Sequence, residues 1–404
     1  MNILVINAGS SSVKFTCMNS EDFTVLASGL VERIGLTGTL FHYKRHGSEK
    51  ITKEVTVEKT RQAVTLITSY LCDAKVGVMK SLDEIVAIGH RVVHGGEKIT
   101  APALIDSQVK SVIEACIEIA PLHNPPNLEG IKACEEVFPD IPQVGVFDTA
   151  FHATMPPRAY LYALPLKLYR NDRVRRYGFH GTSHKYVARE AARYLNQGMN
   201  GLKLITCHLG NGSSITAVKD GRCIDTSMGF TPLEGLMMGT RCGDLDPAII
   251  IYLMDRKKMT VAEVNEVLNK KSGMLGLADI GSSDLRDVQQ KIMEGHAQAK
   301  AAFEVFCYRI RKYIGAYTAA MNGVDVIVFT AGIGENSEMV RAAVCCDMEG
   351  LGIVLDTQKN ASLNHSKGEI SKPESKVKIL IIPTNEELQI AREAMEVLNS
   401  REKV

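Results

Sequence analysis

Apolar runs along the chain alternate with short polar and glycine-bearing segments, and one order of elements recurs in both halves. Near the start, apolar residues 3–6 lead into the small-residue loop 7–12, and alternating apolar positions with a polar turn follow. In the second half, residues 204–209 lead into the loop 210–214, and a second alternating segment ends at an Asp-Gly turn. Both patterns predict strand, glycine- and serine-bearing loop, strand, tight turn and strand.

Two further pieces recur in the same order, and helical patterns separate them. The longest helical pattern is a stripe of apolar residues at three- and four-residue spacing from Phe303 to Met321, and Ser107 is expected to cap an earlier helix. Three matches in one order predict an α/β fold made of two related halves, each with a meander that feeds further strands and crossover helices. In the first recurring pair, strand 85–88 precedes loop 89–96, and strand 326–329 precedes loop 331–334. In the second pair, strand 144–147 precedes Asp148, and strand 379–382 precedes residues 384–386.

Charge and composition exclude several classes of protein. The 404 residues include 47 Lys+Arg and 46 Asp+Glu, whereas nucleic-acid binders carry a basic excess or a basic stripe. The N-terminal apolar run is too short for a signal peptide, and no run approaches the roughly 20 residues of a membrane helix. The ten cysteines form no Cys-x-x-Cys pair. We therefore expect a cytoplasmic protein of two domains, with no nucleic-acid partner and no membrane partner.

The two small-residue loops are candidate phosphate-binding sites. The first lacks the second glycine of a Walker or Rossmann motif, and a strand follows it instead of a helix. Small residues at a hairpin tip let backbone N–H groups approach phosphate oxygens, and Lys14 adds a positive charge. A single such loop is more typical of an ordinary turn. Two such loops at equivalent places in a duplicated fold favour another interpretation, in which both loops face an interdomain cleft and bind the phosphates of a nucleotide.

Eight blocks of the sequence resemble the signature motifs of the acetate kinase family, and they span nearly the whole chain in order. The resemblance implies the duplicated actin/Hsp70/sugar-kinase (ribonuclease H-like) fold, with two domains that flank a nucleotide cleft. It also implies a homodimer and a reversible, Mg²⁺-dependent transfer of the ATP γ-phosphoryl group to acetate, which gives acetyl phosphate and ADP. The blocks are 5–14, 90–96, 147–152, 177–184, 205–214, 225–243, 331–335 and 384–388.

On this resemblance we expect an N-terminal domain of residues 1–150, closed by the C-terminal helix at 386–404. Residues 151–385 would form a second domain that binds the nucleotide and forms the dimer. The stretch 277–286 is longer than the family pattern. The assignment of its last three residues to the nucleotide therefore depends on where the extra length is placed. The resemblance assigns the nucleotide contacts to Lys14, His208, Leu209, Gly210, Asn211, Gly212, Asp284, Leu285, Arg286, Ala331, Gly332, Ile333, Gly334 and Glu335.

Phosphoryl transfer to a carboxylate brings two anions together, so the protein must supply positive charge and fixed donors. Arg91 and Arg241 are candidates, since each is predicted in a glycine-flanked loop and a guanidinium fork matches carboxylate and phosphoryl oxygens. The resemblance adds His180 and Asn211 as donors to the transferred group, and Asp148 as the fifth catalytic residue. Acetate is already ionised at neutral pH, so we assign Asp148 to metal positioning instead of proton transfer.

The resemblance also predicts a metal site and an acid pocket. Asp148 and Glu386 follow equivalent strands, and with Asn7 they offer the oxygen ligands that suit Mg²⁺, for which Mn²⁺ can substitute. The acetate carboxylate would contact Arg91. Its methyl group would lie against Val93, Leu122, Phe179 and Pro232.

Two alternatives stay open. A propionate- or butyrate-preferring relative differs in pocket volume near Val93, where propionate kinases tend to carry a smaller residue. One methylene is worth only about 1–3 kcal/mol, so propionate should be a slower substrate instead of an excluded one. An actin- or Hsp70-like ATPase module is a different class, and the two arginines argue against it because hydrolysis by water needs no carboxylate clamp.

Overall fold

The computed structural model describes residues 1–363 and 366–401. The chain divides into two compact units. The first comprises residues 1–153 and the described residues from Asn385 onward, and the second comprises residues 154–384. Three short 3₁₀ turns, at Leu82–Glu84, Ala150–Thr154 and Glu349–Leu351, connect longer elements.

The first unit is built on an eight-stranded sheet with the order β5-β4-β3-β2-β1-β6-β8-β7. Strands β1 to β5 form an antiparallel meander, and β6 runs parallel to both β1 and β8. The strands are β1 (Asn2–Gly9), β2 (Ser12–Asn19), β3 (Val25–Glu32), β4 (Thr39–Arg45), β5 (Ile51–Val55), β6 (Ile85–Val92), β7 (Ala103–Leu104) and β8 (Gln143–Phe147). The helices are α1 (Thr60–Leu71), α2 (Ser107–Ala115), α3 (Asn124–Val137) and the last helix of the chain, Glu386–Arg401.

Strand β6 is longer than the sequence pattern predicts, and it carries Arg91 within the sheet instead of in a loop. The strand continues because β8 pairs with it as far as Phe147. Gly89 resembles a loop residue in the sequence, but its missing side chain has a packing reason. A Cβ there would lie 2.8 Å from Cγ2 of Ile390 on the last helix, so glycine allows that helix to pack on the strand. The prediction of a loop from residue 89 was wrong for this reason.

The second unit has a six-stranded sheet with the order β11-β10-β9-β12-β14-β13. Its strands are β9 (Lys203–Leu209), β10 (Ser213–Lys219), β11 (Arg222–Thr226), β12 (Val326–Thr330), β13 (Gly368–Glu369) and β14 (Lys378–Ile381). Its helices are α4 (Pro157–Tyr160), α5 (Leu166–Asp172), α6 (Gly181–Tyr194), α7 (Ala248–Asp255), α8 (Val261–Lys270), α9 (Gly273–Ala278), α10 (Leu285–Met293), α11 (Ala297–Met321), α12 (Ala331–Asn336), α13 (Glu338–Cys345) and α14 (Thr357–Ser362). The last helix, Glu386–Arg401, is thus α15.

The predicted duplication is confirmed by the strand orders of the two sheets. The order β3-β2-β1-β6-β8 in the first unit matches β11-β10-β9-β12-β14 in the second, with a meander followed by two parallel strands in each. The chain therefore has a duplicated α/β fold.

The longest predicted helix is also confirmed. The apolar stripe from Phe303 to Met321 is buried on α11, which ends where Asn322 and Gly323 take positive φ angles. The predicted cap of α2 is displaced by one residue. The carboxylate of Asp106 accepts the N–H of Val109, so Asp106 and not Ser107 is the N-cap. No helix of the described residues is both long enough and apolar enough to cross a membrane.

His90 on β6 is a buried histidine that should make the first unit sensitive to acid. Its Nε2 lies 2.6 Å from Oε1 of Gln143, and burial lowers its pKa to about 4. The unfolded chain, with an ordinary histidine pKa near 6.5, therefore takes up a proton before the folded chain does as the pH falls. The free energy of unfolding therefore falls as the pH drops, by about 2 kcal/mol between pH 8 and pH 5.

We expect His90→Gln to flatten the dependence of Tm on pH between about pH 8 and pH 5 relative to the wild type, since it removes the titrating group. The measurement is a melting curve at several pH values, with His46→Gln, which changes an exposed histidine of the same unit, as the control. Equal slopes for the wild type and His90→Gln would contradict the assignment.

Candidate active site

In the first unit, Arg91 and Asp148 lie together at the carboxyl ends of two neighbouring parallel strands. Arg91 is the penultimate residue of β6, and Asp148 directly follows β8. Nη2 of Arg91 donates to Oδ2 of Asp148 at 2.7 Å, and Nε lies 3.2 and 3.3 Å from the two oxygens. The pair is a two-pronged fork, and Asp148 is buried. Both carboxylate oxygens of Asp148 therefore face the guanidinium.

Glu386, at the start of α15, adds a second carboxylate to this group. Its Oε2 lies 3.8 Å from Nη1 of Arg91. Burial raises the pKa of Glu386, and the negative charges of Asp148 and Glu387 act in the same direction, against the opposing effect of Arg91. The positive charge of Arg91 therefore neutralises the buried Glu386 carboxylate only in part. Burial opposes the charge of Arg91, but the carboxylates of Asp148 and Glu386 outweigh it and raise the pKa of the guanidinium.

Asn7 and Lys14 face the same group from the hairpin of β1 and β2. They are direct partners across the strand pair, and Lys14 forms an ion pair with Glu387. Asn7, Lys14, Arg91 and Glu386 line a recess of about 10 Å³. That volume is close to the least that can hold one water molecule, so the recess is too small for a nucleotide and has room for no more than one water or one bare ion.

The donor chemistry of these residues fits magnesium. Two carboxylates and an amide offer the oxygen ligands that Mg²⁺ takes, and this ion commonly keeps most of its waters and uses few protein ligands. The described residues contain no group of three or more histidine, cysteine, aspartate or glutamate side chains that could hold a metal alone. The incompletely neutralised Glu386 is the one of the two carboxylates best disposed to attract a cation.

Two buried asparagines of α3, which sequence analysis missed, hold the segment that follows Arg91. Oδ1 of Asn127 accepts the N–H of Val93 at 3.0 Å, and its Nδ2 donates to the carbonyl of Ala8 at 2.8 Å. Asn124 accepts the N–H of His94 and donates to its carbonyl. A signal for them is present in the sequence, since two asparagines flank a Pro-Pro pair at the start of a helix.

In the second unit, His180 lies in a fixed orientation at the start of α6. Its backbone is in the left-handed region, with φ of 56°, and its ring stacks on that of His208 with centroids 4.3 Å apart. Nδ1 of His180 and Oγ of Ser214 share a hydrogen bond of 2.8 Å, and Oγ of Ser214 also lies 2.7 Å from Nε2 of His184. Stacking and hydrogen bonding together set the direction of the His180 ring.

Arg241 has a different environment from Arg91, because the described residues give it no carboxylate partner. Its Nη1 donates to the carbonyl of Pro232 at 3.3 Å and lies 3.7 Å from Sδ of Met238. Burial lowers its pKa. A partly buried cation without an anion is costly, so Arg241 is suited to bind an anion from outside the chain.

The donors of the second unit converge on Gly212. A Cβ at Gly212 would lie 3.6 Å from Nε2 of His180 and 3.7 Å from Nη1 of Arg241. Asn211 lies against the segment that carries Arg241, since its carbonyl accepts the N–H of Gly239 at 2.9 Å. The missing side chain of Gly212 therefore leaves space beside two cationic or donor groups.

A cavity of about 710 Å³ lies beside this group in the same unit. Its size falls in the range of roughly 300–1,000 Å³ that small-molecule sites have. Its walls come from the tip of the β9–β10 hairpin, the start of α10, and α12, which follows the end of β12. The predicted residues in its lining are Gly210, Asn211, Asp284, Leu285, Arg286, Gly332 and Ile333.

Other predicted nucleotide residues do not line the cavity, and three of them act from behind it. Leu209 is buried in the core, and Gly334 packs near the end of β12. The carboxylate of Glu335 accepts the N–H groups of Ala331 at 2.7 Å and Thr384 at 3.0 Å, so it fixes the turn between β12 and α12. Of the remaining four, His208 stacks on His180, and Lys14 belongs to the first unit. The other two are Gly212 and Ala331.

Several polar residues of the cavity wall were not predicted from the sequence, among them Gln289 and Ser337. Nε2 of Gln289 donates to Oγ of Ser337 at 2.8 Å, which ties α10 to the start of α13. The spacing could have indicated Gln289, since it lies one helical turn beyond the predicted Leu285 and Arg286.

Comparisons with known proteins decide the family. The model of the acetokinase family matches residues 2–392. The acetate kinase of Carboxydothermus hydrogenoformans is 54% identical over 398 residues, which cover 98% of this chain and 99% of that protein. The chain belongs to the acetokinase family.

Solved structures of the family agree with this fold. The acetate kinase of Porphyromonas gingivalis has a TM-score of 0.94 and 48% identity, over 98% of this chain and 99% of that one. A propionate kinase from Francisella tularensis has a TM-score of 0.91 and 44% identity, with the same coverage. Family membership therefore makes the chain a kinase, and its relatives include both acetate kinases and a propionate kinase.

The four residues predicted to contact the methyl group of the acid are divided between the two units. Val93 and Phe179 are buried in the first and second units, respectively. Pro232 belongs to the second unit, where its carbonyl accepts Arg241. Leu122 is 72% exposed on the first unit. Its predicted role at the acid stays a prediction.

Gly212→Ala tests the convergence of His180 and Arg241. The added methyl would make ordinary contacts at 3.6–3.7 Å, so the fold should tolerate it, but it would occupy the space beside both donors. We expect kinase turnover to fall at least about tenfold while Tm changes by less than about 2 °C. Steady-state kinetics and melting curves measure both quantities.

Gly198→Ala is the matched control, because a Cβ at that position has no neighbour within 4 Å. Unchanged turnover in Gly212→Ala would show that nothing in the reaction uses this space.

Proposed function

We propose that this chain is an acetate kinase, which transfers the γ-phosphoryl group of ATP reversibly to acetate and gives acetyl phosphate and ADP. The observation that carries the proposal is Arg241, a partly buried guanidinium without a carboxylate partner among the described residues, beside His180 and a nucleotide-sized cavity. An enzyme that moves a phosphoryl group between anions needs such a preorganised cation.

In this proposal the cavity of the second unit holds ATP or ADP. The hairpin tip at Gly210 and Asn211 approaches the phosphates, and the α10 and α12 walls hold the nucleoside. His180 and Arg241 donate to the transferred group at Gly212, and Asn211 supplies a further donor. The transition state spreads charge over three equatorial oxygens, so several donors in fixed positions lower its energy more than one would.

Arg91 holds the acid, and Asp148 positions Arg91. The acid needs no general base because acetate is ionised at neutral pH. Both oxygens of Asp148 accept from Arg91, which supports a positioning role instead of proton transfer. Transfer is direct and in line, from the nucleotide to the acetate oxygen, with no covalent enzyme intermediate.

We propose that Mg²⁺, or Mn²⁺ in its place, is the metal of the reaction, and that Asn7, Asp148 and Glu386 would hold it, in part through water. When bound, it supplies positive charge that offsets the phosphoryl oxygens. The protein's own contribution is the incompletely neutralised carboxylate of Glu386.

The acid selectivity is the finer part of the proposal. Val93 is buried, and its backbone is held by Asn127, so the wall it forms is firm. A firm wall with a valine favours acetate over a longer acid, although one methylene costs only about 1–3 kcal/mol. The propionate kinase of Francisella tularensis makes propionate the alternative acid to test.

The test measures ADP release with acetate, propionate, butyrate or no acid, with hydroxylamine trapping of the acyl phosphate. We expect acid-dependent turnover that is highest for acetate, and a loss of about 100-fold or more in Arg241→Ala. Turnover that is independent of any acid would overturn the carboxylate-kinase proposal in favour of an ATPase module. A preference for propionate would overturn the choice of acid alone.

We propose further that the protein is a homodimer that forms through the second unit, and that it is cytoplasmic. Helix α7 has no buried residue although it is almost entirely apolar; Ile249, Ile251, Tyr252 and Met254 are each at least 40% exposed. An apolar helix face of this kind is typical of an interface. Ten free cysteines are a state that a reducing compartment maintains.

Ile251→Glu should dissociate the dimer, since it places a charge in the apolar face of α7. Sedimentation equilibrium should give twice the chain mass of 44.2 kDa for the wild type and a single chain for the variant. Met293→Glu, at an apolar side chain of α10 that is 74% exposed, is the control and should stay dimeric. A wild type of single-chain mass, or a dimeric Ile251→Glu, would contradict the proposal.

A further inference from the structure

Three side chains of the second unit form a polar cluster that the proposed chemistry does not use. We call Tyr162, Arg176 and Glu234 the Arg176 cluster. Nη2 of Arg176 donates to Oε1 of Glu234 at 2.5 Å, and the hydroxyl of Tyr162 donates to Oε2 of the same carboxylate. The members are far apart in sequence but share one carboxylate, so each one restrains the other two.

The Arg176 cluster holds the backbone of the segment that follows β11. Nη1 of Arg176 donates to the carbonyls of Thr226 and Ser227 at 2.9 and 3.0 Å. The hydroxyl of Tyr162 accepts the N–H of Phe230 at 2.9 Å. A guanidinium can bridge a carboxylate and several carbonyls because its donors lie in a rigid plane. The segment 226–230 is therefore tied at both ends to one cluster.

That segment connects directly to the predicted acid pocket. The carbonyl of Gly229 accepts the N–H groups of Tyr177 and Gly178 at 3.0 and 3.3 Å, just before Phe179 and His180. Three residues after Gly229, the carbonyl of Pro232 accepts Nη1 of Arg241 at 3.3 Å. The stretch 226–232 thus links the irregular segment that carries Phe179 to the carbonyl that accepts Arg241.

The Arg176 cluster does not extend to the nucleotide cavity. The cavity walls are the β9–β10 tip, the start of α10, and α12 with the residues after it, and no member of the cluster is in its lining. A disturbance of the cluster should therefore reach the acid side before the nucleotide side.

We propose that Tyr162, Arg176 and Glu234 are positioning residues for acid selectivity, and that they set the separation of Phe179 and Pro232 and the direction of Arg241. The inference rests on the proposed function, because it concerns the same acid. The cluster acts through the segment 226–232 and not by its own contact with the acid. A restrained wall discriminates by size, whereas a loosened wall admits one more methylene.

Tyr162→Phe removes one hydroxyl from the cluster and keeps the ring. The variant should fold, because the Glu234 side chain is 31% exposed and water can replace the lost donor. We expect the KM for acetate to rise about tenfold and the ratio of kcat/KM for propionate over acetate to rise about fivefold, while the KM for ATP stays within about twofold. Steady-state kinetics with both acids, at saturating and varied ATP, measure these quantities.

Tyr43→Phe is the matched control, since it removes the hydroxyl of a buried tyrosine that donates to the carbonyl of Val76 in the first unit. It should leave both acid parameters unchanged. As a second variant, Glu234→Gln keeps an acceptor for Tyr162 but removes the ion pair with Arg176. It should shift the acid ratio in the same direction as Tyr162→Phe, and by less than Glu234→Ala.

Two outcomes would overturn the inference. One is a KM for acetate and an acid ratio that both stay within about twofold of the wild type in Tyr162→Phe. The other is an equal rise in the KM values for acetate and ATP, which would mean general loosening and no role in selectivity. Both are distinct from a failure of the proposed function, in which the wild type itself would show no acid-dependent turnover.

Discussion

The ends of the parallel strands are the constraint on which the candidate site depends. Within a parallel ladder each backbone group is paired and the strands are buried, so a polar side chain is most easily placed where the ladder stops. Arg91 and Asp148 occupy those ends in the first unit, Arg91 as the penultimate residue of β6 and Asp148 directly after β8. In the second unit Thr384 lies shortly after β14, and Glu335 lies in α12, the short helix that directly follows β12.

The duplicated unit uses these equivalent positions for different purposes. In the first unit the two strand ends are joined by an ion pair, which keeps a guanidinium in one orientation. In the second unit Glu335 joins them by accepting backbone N–H groups from Ala331 and Thr384. The Glu335 carboxylate is thus used to fix backbone at the strand ends, and it does not hold a cationic side chain there as Asp148 does. The proposed function thus assigns the acceptor site to the first unit and the nucleotide site to the second.

Sequence patterns predicted the larger features of this molecule because those features are local. The small-residue loops, the strand repeats and the stripe of α11 each lie in one short stretch, and the family motifs mark Arg91, His180 and Arg241 directly. The loop predicted to begin at Gly89 was wrong, because Gly89 admits Ile390 and that packing depends on a helix about 300 residues further along the sequence.

The Arg176 cluster and the buried asparagines were not predicted from the sequence, for the same reason. Tyr162 and Glu234 are 72 residues apart, and Asn127 and Ala8 are 119 apart. No periodicity relates such positions, and a lone tyrosine or asparagine is chemically unremarkable until its partner is known. The exposure of Leu122 could not be anticipated either, because an apolar residue gives no sign of the surface it will occupy.

The contrast between Arg91 and Arg241 shows why overall charge says little about such a site. The chain has nearly equal numbers of acidic and basic residues, yet Arg91 is matched by two carboxylates and Arg241 by none among the described residues. A matched arginine is stable without a ligand and holds its geometry, whereas an unmatched one retains its electrostatic attraction for an incoming anion. Transfer between two anions needs both kinds, because the acceptor must be oriented before the phosphoryl group arrives, and the charge that develops on the phosphoryl group must find a cation that is not already neutralised.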